Sequence, residues 1–558
     1  MKKTEFDIDE IENNIDKWLY NALDSNLPRN SYIYHCNLAF IDYVIDKKIM
    51  FTPMERHFLF SLTYNTHIAH KKLKEEETFD YRFNRVIYLI AYNMIIRGMQ
   101  YSILCDIFPL LHSKKATIKI QGKNIEFDVK KMPKKNYKFI SDYSIRKALS
   151  YTLQMANGKM QKEDDEDIAM RLANIYMHFW NENMLYEDYE PYSRLCYGGI
   201  SFFFVVASMR RFNKLYKQDF DIVSLDSQKA MILLSPEGVK RIKDYVPEEN
   251  EELYKKALEE HTYKVTTDKL YPKLNITDAP INRTSDGYMF VNPLVVLFND
   301  SCESQFLNYI RKCDNSRYLK IKDKIKERII PIIIEMINYK FPEVSAIPNF
   351  YVKIPLQKKN RRECDLLLVD ENGCALYIEV KHFYYPQSFC ETKNLDNELE
   401  KALNKMPEQL KAIKESWGDI KKTYNVKADL CKIYGIIVSH RYCGYDVSID
   451  ENTPIVSSST LYESIATARG LEEIYNGCKE VDIIYPNLRF IEKTLQFDFE
   501  RYTFHVDIEC LDPIIEIEFI KSYRRQIAKG LSSKRPDTYN SIQELARAYV
   551  DEINEKSI

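Results

Sequence analysis

The apolar positions change period partway along the chain. Through the first half they recur at helical spacing: Ile8, Ile11, Ile15, Trp18, Leu19 and Leu23 share one stripe. Thr52-Pro-Met-Glu55 combines an N-cap residue, a proline at the first helical position and a capping-box glutamate, so a helix is expected there. Ala116–Val129 alternates instead, around Gln121-Gly-Lys-Asn124, and reads as a hairpin. Lys273–Gly287, dense in Asn, Asp, Pro, Ser and Gly, reads as a linker. Beyond it the pattern becomes helix, strand, hairpin, helix, strand. Asp323–Phe341 predicts a helix, with Ile325, Ile329, Ile333, Ile337 and Phe341 at four-residue steps and Pro331 as a kink or fresh start. Asn349–Pro355 reads as a first strand. Asp396–Trp417 reads as a long helix interrupted at Pro407, with Leu399, Leu403, Met406, Leu410 and Ile413 along one side. Lys432–Ser439 and Pro454–Ser457 read as strands, and Thr460-Leu-Tyr-Glu463 has the spacing of a capping box that opens a helix up to Gly470. Glu480–Glu518 looks strand-rich, and Ser541–Ile558 reads as a short helix.

The hairpin carries chemistry. Two apolar runs, Leu366–Val369 and Ala375–Val380, flank Asp370-Glu-Asn-Gly373, a strong turn signal. A three-residue loop, Glu371–Gly373, with Gly373 in the left-handed conformation pairs Asp370 with Cys374 and sets Asp365 opposite Glu379. Opposed residues share a face, and Lys381, two further along, shares it too. Leu366, Leu368, Leu376, Ile378 and Val380 fall on the other face, which is expected to be the core side. Two carboxylates and an ammonium therefore meet at one spot. Such a group suits Mg²⁺, which takes one or two carboxylates plus waters and phosphate oxygens. A neighbouring lysine can steer or help deprotonate an attacking water and offset phosphate charge.

This pattern resembles the PD-(D/E)xK nuclease superfamily, the restriction-endonuclease-like fold, in which Asp, a spaced Glu and a Lys two residues later form the active site. The resemblance covers roughly Asp323–Arg469, about a quarter of the chain. It departs from the pattern at Cys364, which stands where the superfamily often has Pro. It implies a restriction-endonuclease-like α/β core in the C-terminal half, preceded by a mainly α-helical N-terminal region. Asp365 and Glu379 would be ligands of Mg²⁺ or Mn²⁺, with the Val380 carbonyl as a third, and Lys381 the catalytic lysine. The metal would polarise the phosphoryl oxygen and lower the pKa of the attacking water. Family members often add a Glu from the first helix; Glu327 fits, with Glu335 the competitor. Gln409 matches a position where some relatives carry a substrate-contacting Gln, although a surface amide is the simpler reading. His382 reads as a packed histidine.

Composition sets limits rather than function. At 558 residues the chain is too long for one core. Three regions are expected: 1–287, a recognition or partner region; 288–480, the nuclease domain; and 481–558, a strand-rich extension with a C-terminal helix. A net charge of −2 excludes general attraction to nucleic acid, so phosphate contacts must come from local patches. Lys358, Lys359, Arg361 and Arg362, leading into the Asp365 strand, form one such patch; Lys521–Arg535 holds another. Twelve scattered cysteines without a C-x-x-C pair argue against zinc or a disulfide framework and for a reducing cytoplasm. The N-terminal segment is too acidic for a signal peptide, and no apolar run reaches a bilayer span. His67-Ile-Ala-His70 has metal-like spacing but no third ligand nearby, so a structural role is expected. The expected function is metal-dependent cleavage of nucleic acid, DNA first, by an endonuclease. A homo-oligomer or a protein partner through the N-terminal region is also expected. By analogy, such an organisation suits antiviral defence. The alternative is an inactive nuclease-fold protein serving as a nucleic-acid-binding or assembly module.

Overall fold

The computed structural model describes residues 8–46, 55–112, 114, 116–129, 192–216, 227–246, 251–297, 302–353, 361–383, 389–439, 444, 447, 450, 452–479, 490–499 and 502–511. The chain is mixed α/β with a mostly helical N-terminal region, and it divides into two compact units. The first holds Met1–Lys131, Ser144–Tyr318 and Arg489–Ile520; the second centres on Leu319–Leu488. Among the described residues no helix is long and apolar enough to cross a membrane. The C-terminal helix expected at 541–558 and the basic segment 521–535 lie outside the described residues.

In the first unit the long helices are Ile8–Asn21, Arg29–Asp46, Glu55–Lys72, Arg85–His112 and Gly198–Tyr216. The stripe Ile11, Ile15, Leu19 is buried, as its spacing requires. The Ala116–Val129 alternation forms the expected antiparallel hairpin. Tyr502–Leu511 joins that hairpin in parallel, and Phe490–Phe499 adds antiparallel to it, so the strand-rich C-terminal segment completes an N-terminal sheet. Phe127 and Phe504 stack across the join at 5.8 Å between ring centroids. A lone hairpin is marginal in water, and the added strands supply the missing apolar partner.

Lys273–Gly287 is not a bare linker. Ile281–Arg283 pairs with Met289–Val291, which also pairs with Ile232–Leu234. Asp278 is buried and accepts a hydrogen bond from Lys312 Nζ at 2.6 Å. The turn-forming residues that suggested a linker serve a folded turn between two short strands.

The second unit is built on a five-stranded sheet. We label its elements α1 (Asn315–Lys340, whose N-terminal end precedes the unit boundary), β1 (Ser345–Lys353), β2 (Arg361–Val369), β3 (Cys374–Lys381), α2 (Phe389–Glu415), α3 (Trp417–Tyr424), β4 (Lys432–Ser439), β5 (Ile455–Ser457), α4 (Ser458–Thr467) and α5 (Leu471–Lys479). The strand order is β5-β4-β3-β2-β1; β1, β2 and β3 are antiparallel, while β4 and β5 follow β3 in parallel. Parallel neighbours need crossovers, and α2 with α3 provides the one between β3 and β4. Helices consequently cover both faces, and the expectation of a single core face is corrected. One face packs Leu366, Leu368, Leu376, Ile378 and Val380 against α1, α4 and α5. The other packs Leu367, Val369, Ala375 and Tyr377 against α2 and α3.

Pro331 and Pro407 do not break their helices. Each costs a backbone hydrogen bond, on the order of 3 kcal/mol in a helix interior. The buried stripes Ile329–Ile337 and Leu399–Ile413 outweigh that, at roughly 2 kcal/mol per buried Leu or Ile side chain.

Candidate active site

The site begins with the β2–β3 turn. Asp370 Oδ1 accepts from the Asn372 and Cys374 amides at 2.9 Å each, and Asp370 N donates to the Cys374 carbonyl at 3.0 Å. Gly373 takes the left-handed conformation at φ 77°. That turn fixes the register: Val369 opposes Ala375, and the pairing runs to Leu366 opposite Ile378. The next step sets Asp365 level with Glu379. The Val380 amide donates to Asp365 Oδ2 at 2.8 Å, tying the two strands at the carboxylates.

Glu379 is engaged on both oxygens. Lys381 Nζ donates to Oε1 at 2.7 Å, while the Tyr377 hydroxyl and Gln409 Nε2, the latter at 3.3 Å, donate to Oε2. Gln409 Nε2 also donates to the Tyr377 hydroxyl oxygen at 2.9 Å. Burial acts to raise the Glu379 pKa, but the Lys381 ammonium and these hydrogen bonds outweigh it and hold the carboxyl below its ordinary value. The Glu379 side chain is 13% exposed and that of Lys381 30%, so the cluster opens to solvent on the lysine side. Asp365 is buried. Burial and the neighbouring Glu379 charge push the Tyr377 phenol well above its usual range.

Two backbone features shape this spot. Gly435, paired with Tyr377, lets α2 approach: a Cβ there would lie 2.6 Å from Met406 Sδ. Gln409 follows Met406 by one helical turn, so the same approach delivers its amide to the strand. On the other side of β2, the pairing with β1 passes over Asn349, which sits level with Asp365 in the left-handed region at φ 48°. Kinks of this kind re-aim neighbouring side chains.

Asp365, Glu379 and Lys381 are thus brought together, and Gln409, read from sequence as a surface amide, is buried among them. Its place in the stripe Met406, Gln409, Ile413 was the available signal. Tyr377 was missed although, two residues before Glu379, it had to share its face. Glu327 lies on α1 with its side chain outside the described residues. Glu335 is half-buried on α1, which packs on the face opposite α2, and it is not among the partners of Glu379. Lys358 and Lys359 lie outside the described residues, as does the Arg361 side chain; Arg362 is half-buried at the start of β2. His382 is buried.

The donor set is hard. Asp365, Glu379 and the Val380 carbonyl offer oxygen alone, and burial pushes the adjacent Cys364 thiol up to about 12, which keeps it protonated. Oxygen donors of this kind fit Mg²⁺ or Mn²⁺ rather than zinc or copper.

In the first unit, His67 Nε2 donates to the Lys269 carbonyl at 3.0 Å, and burial lowers its pKa; burial pushes His70 down to about 4. Asp9, Glu12 and His112 bring donor atoms together, but at an exposed surface. Comparison of the chain with models of protein families, with curated proteins and with solved structures finds no match.

Proposed function

We propose that the chain is a metal-dependent nuclease whose active site is formed by Asp365, Glu379 and Lys381, in a core of the restriction-endonuclease-like kind. The observation that carries this is the convergence of two carboxylates and an ammonium at one solvent-open end of an otherwise apolar hairpin. The element order supports it: helix, three antiparallel strands, crossover helix, then a strand parallel to the third. So do the specific contacts of the three charged residues, Asp365 with the Val380 amide and Glu379 with Lys381.

Asp365, Glu379 and the Val380 carbonyl would hold Mg²⁺ or Mn²⁺, which supplies charge for a phosphoryl oxygen and acidity for a water. The protein's own groups do the rest. The Val380 amide orients Asp365 and keeps one of its oxygens anchored to the backbone. Glu379 presents Oε1 toward solvent because Oε2 is engaged from the interior. Lys381, beside Glu379 and partly exposed, can turn to a phosphate oxygen or steer an attacking water. Arg362, three residues before Asp365 on β2, is proposed to add a phosphate contact.

A cleavage assay with Mg²⁺ or Mn²⁺ across single- and double-stranded DNA and RNA tests the activity, with double-stranded DNA expected to be cut. Absence of cutting on all four would exclude it. The metal site has its own measurement. Calorimetric titration of Mn²⁺ is expected to give binding to the wild type and none to Asp365→Ala, because one of two carboxylate ligands is gone. Equal binding in both would remove Asp365 from the site.

A further inference from the structure

We propose that Tyr377 is the positioning residue of this site, fixing the Glu379 carboxylate through its hydroxyl; the inference rests on the metal-dependent reading above.

Tyr377 is wholly buried, in the middle of β3 and beneath α2. A tyrosine there exceeds a phenylalanine only by an oxygen that must be desolvated, a cost of about 1–3 kcal/mol unless the oxygen is hydrogen-bonded. Here it is bonded twice. It donates to Glu379 Oε2 and accepts from Gln409 Nε2 at 2.9 Å. Gln409 itself is buried and reaches Oε2 at 3.3 Å. The three groups form a closed triangle, all on the α2 face.

The triangle treats the two Glu379 oxygens differently. Oε2 receives both interior donors, whereas Oε1 receives the Lys381 ammonium, on the solvent side. A glutamate has three rotatable bonds, and an untethered one would spread over several rotamers. With Oε2 pinned, Oε1 is presented in one direction, the direction from which a cation would come. Outer partners of metal-binding carboxylates typically contribute 10–100-fold in affinity in this way. Gly435 fits the same account, since its missing side chain lets Met406, and so Gln409, come down beside Tyr377.

The test is Mn²⁺ affinity in the full-length protein, followed by calorimetry and by the electron paramagnetic resonance of bound Mn²⁺, with thermal unfolding alongside. Tyr377→Phe is expected to weaken Mn²⁺ binding roughly 10–100-fold and to broaden the bound-Mn²⁺ spectrum. Gln409→Met, of similar volume, is expected to weaken binding less, because it leaves the tyrosine donor in place. Wild-type affinity and spectrum in Tyr377→Phe, with Asp365→Ala losing binding, would overturn the role of Tyr377 and leave the metal site standing. Unchanged binding in Asp365→Ala would overturn the metal site itself. If Tyr377→Phe fails to fold, Tyr377→Met, which also removes the hydroxyl, carries the test, and wild-type affinity and spectrum there overturn the proposal.

Discussion

Lys381→Ala is expected to leave a folded protein that still binds nucleic acid and Mn²⁺ but no longer cleaves at a measurable rate. The ammonium lies 2.7 Å from Glu379 Oε1 and is partly exposed, so its removal leaves no buried cavity. Its contribution grows as negative charge develops on the reacting phosphate, and loss of one such contact typically costs on the order of 3 kcal/mol, a hundredfold or more in rate. An interaction made in the transition state and not before lowers kcat more than it raises KM. Single-turnover cleavage with saturating substrate separates the two. Cutting at the wild-type rate by Lys381→Ala would refute the proposed site even with the fold intact.

Gly373→Ala is expected to produce the largest loss of stability of any Gly→Ala change among the described glycines of the second unit. Gly373 sits at φ 77°, and an added Cβ would overlap the Asp429 carbonyl oxygen, a backbone atom that cannot swing aside. The Gly373 carbonyl also accepts from the Cys431 and Lys432 amides, at 2.8 and 3.2 Å, which ties the turn to the start of β4. Left-handed strain of about 1 kcal/mol and overpacking of about 2 kcal/mol add to roughly 3 kcal/mol. The melting temperature should fall by on the order of 10 °C. Gly418→Ala is the control. Gly418 lies in α3 with open space where a Cβ would go, and the same change there should stabilise by about 0.5–1 kcal/mol. A Gly373→Ala protein melting with the wild type would show that the turn relaxes freely.

The hairpin was legible because its information is local. Period-two alternation assigns Asp365, Glu379 and Lys381 to one face, and Asp370 with Gly373 fixes the loop length, hence the register. The helix stripes in α1 and α2 were legible for the same reason. What sequence did not yield depends on distant partners. Nothing near Phe490–Leu511 announces that its strands pair with a hairpin more than 370 residues earlier. Ile281–Arg283 and Met289–Val291 are three residues each, too short to carry a period. Pro331 and Pro407 read locally as breaks, and only the buried faces on either side hold their helices together. The burial of Gln409 and Tyr377 required knowing that α2 crosses the sheet at Gly435, a close approach set by tertiary packing.

The kink at Asn349 has a second consequence, for solubility. Among the described residues β1 is an edge of the five-stranded sheet, and an edge offers a row of amide and carbonyl groups to any passing strand. On β1 that row is interrupted. Pro348 has no amide hydrogen to give, and Asn349 turns the backbone out of the extended region, with both residues exposed. A strand from a second molecule could bond to either half of β1 but could not keep register across the middle. The feature that stands level with Asp365 therefore also guards the sheet against adding copies of itself, which matters for a chain with long apolar strands and a net charge close to zero.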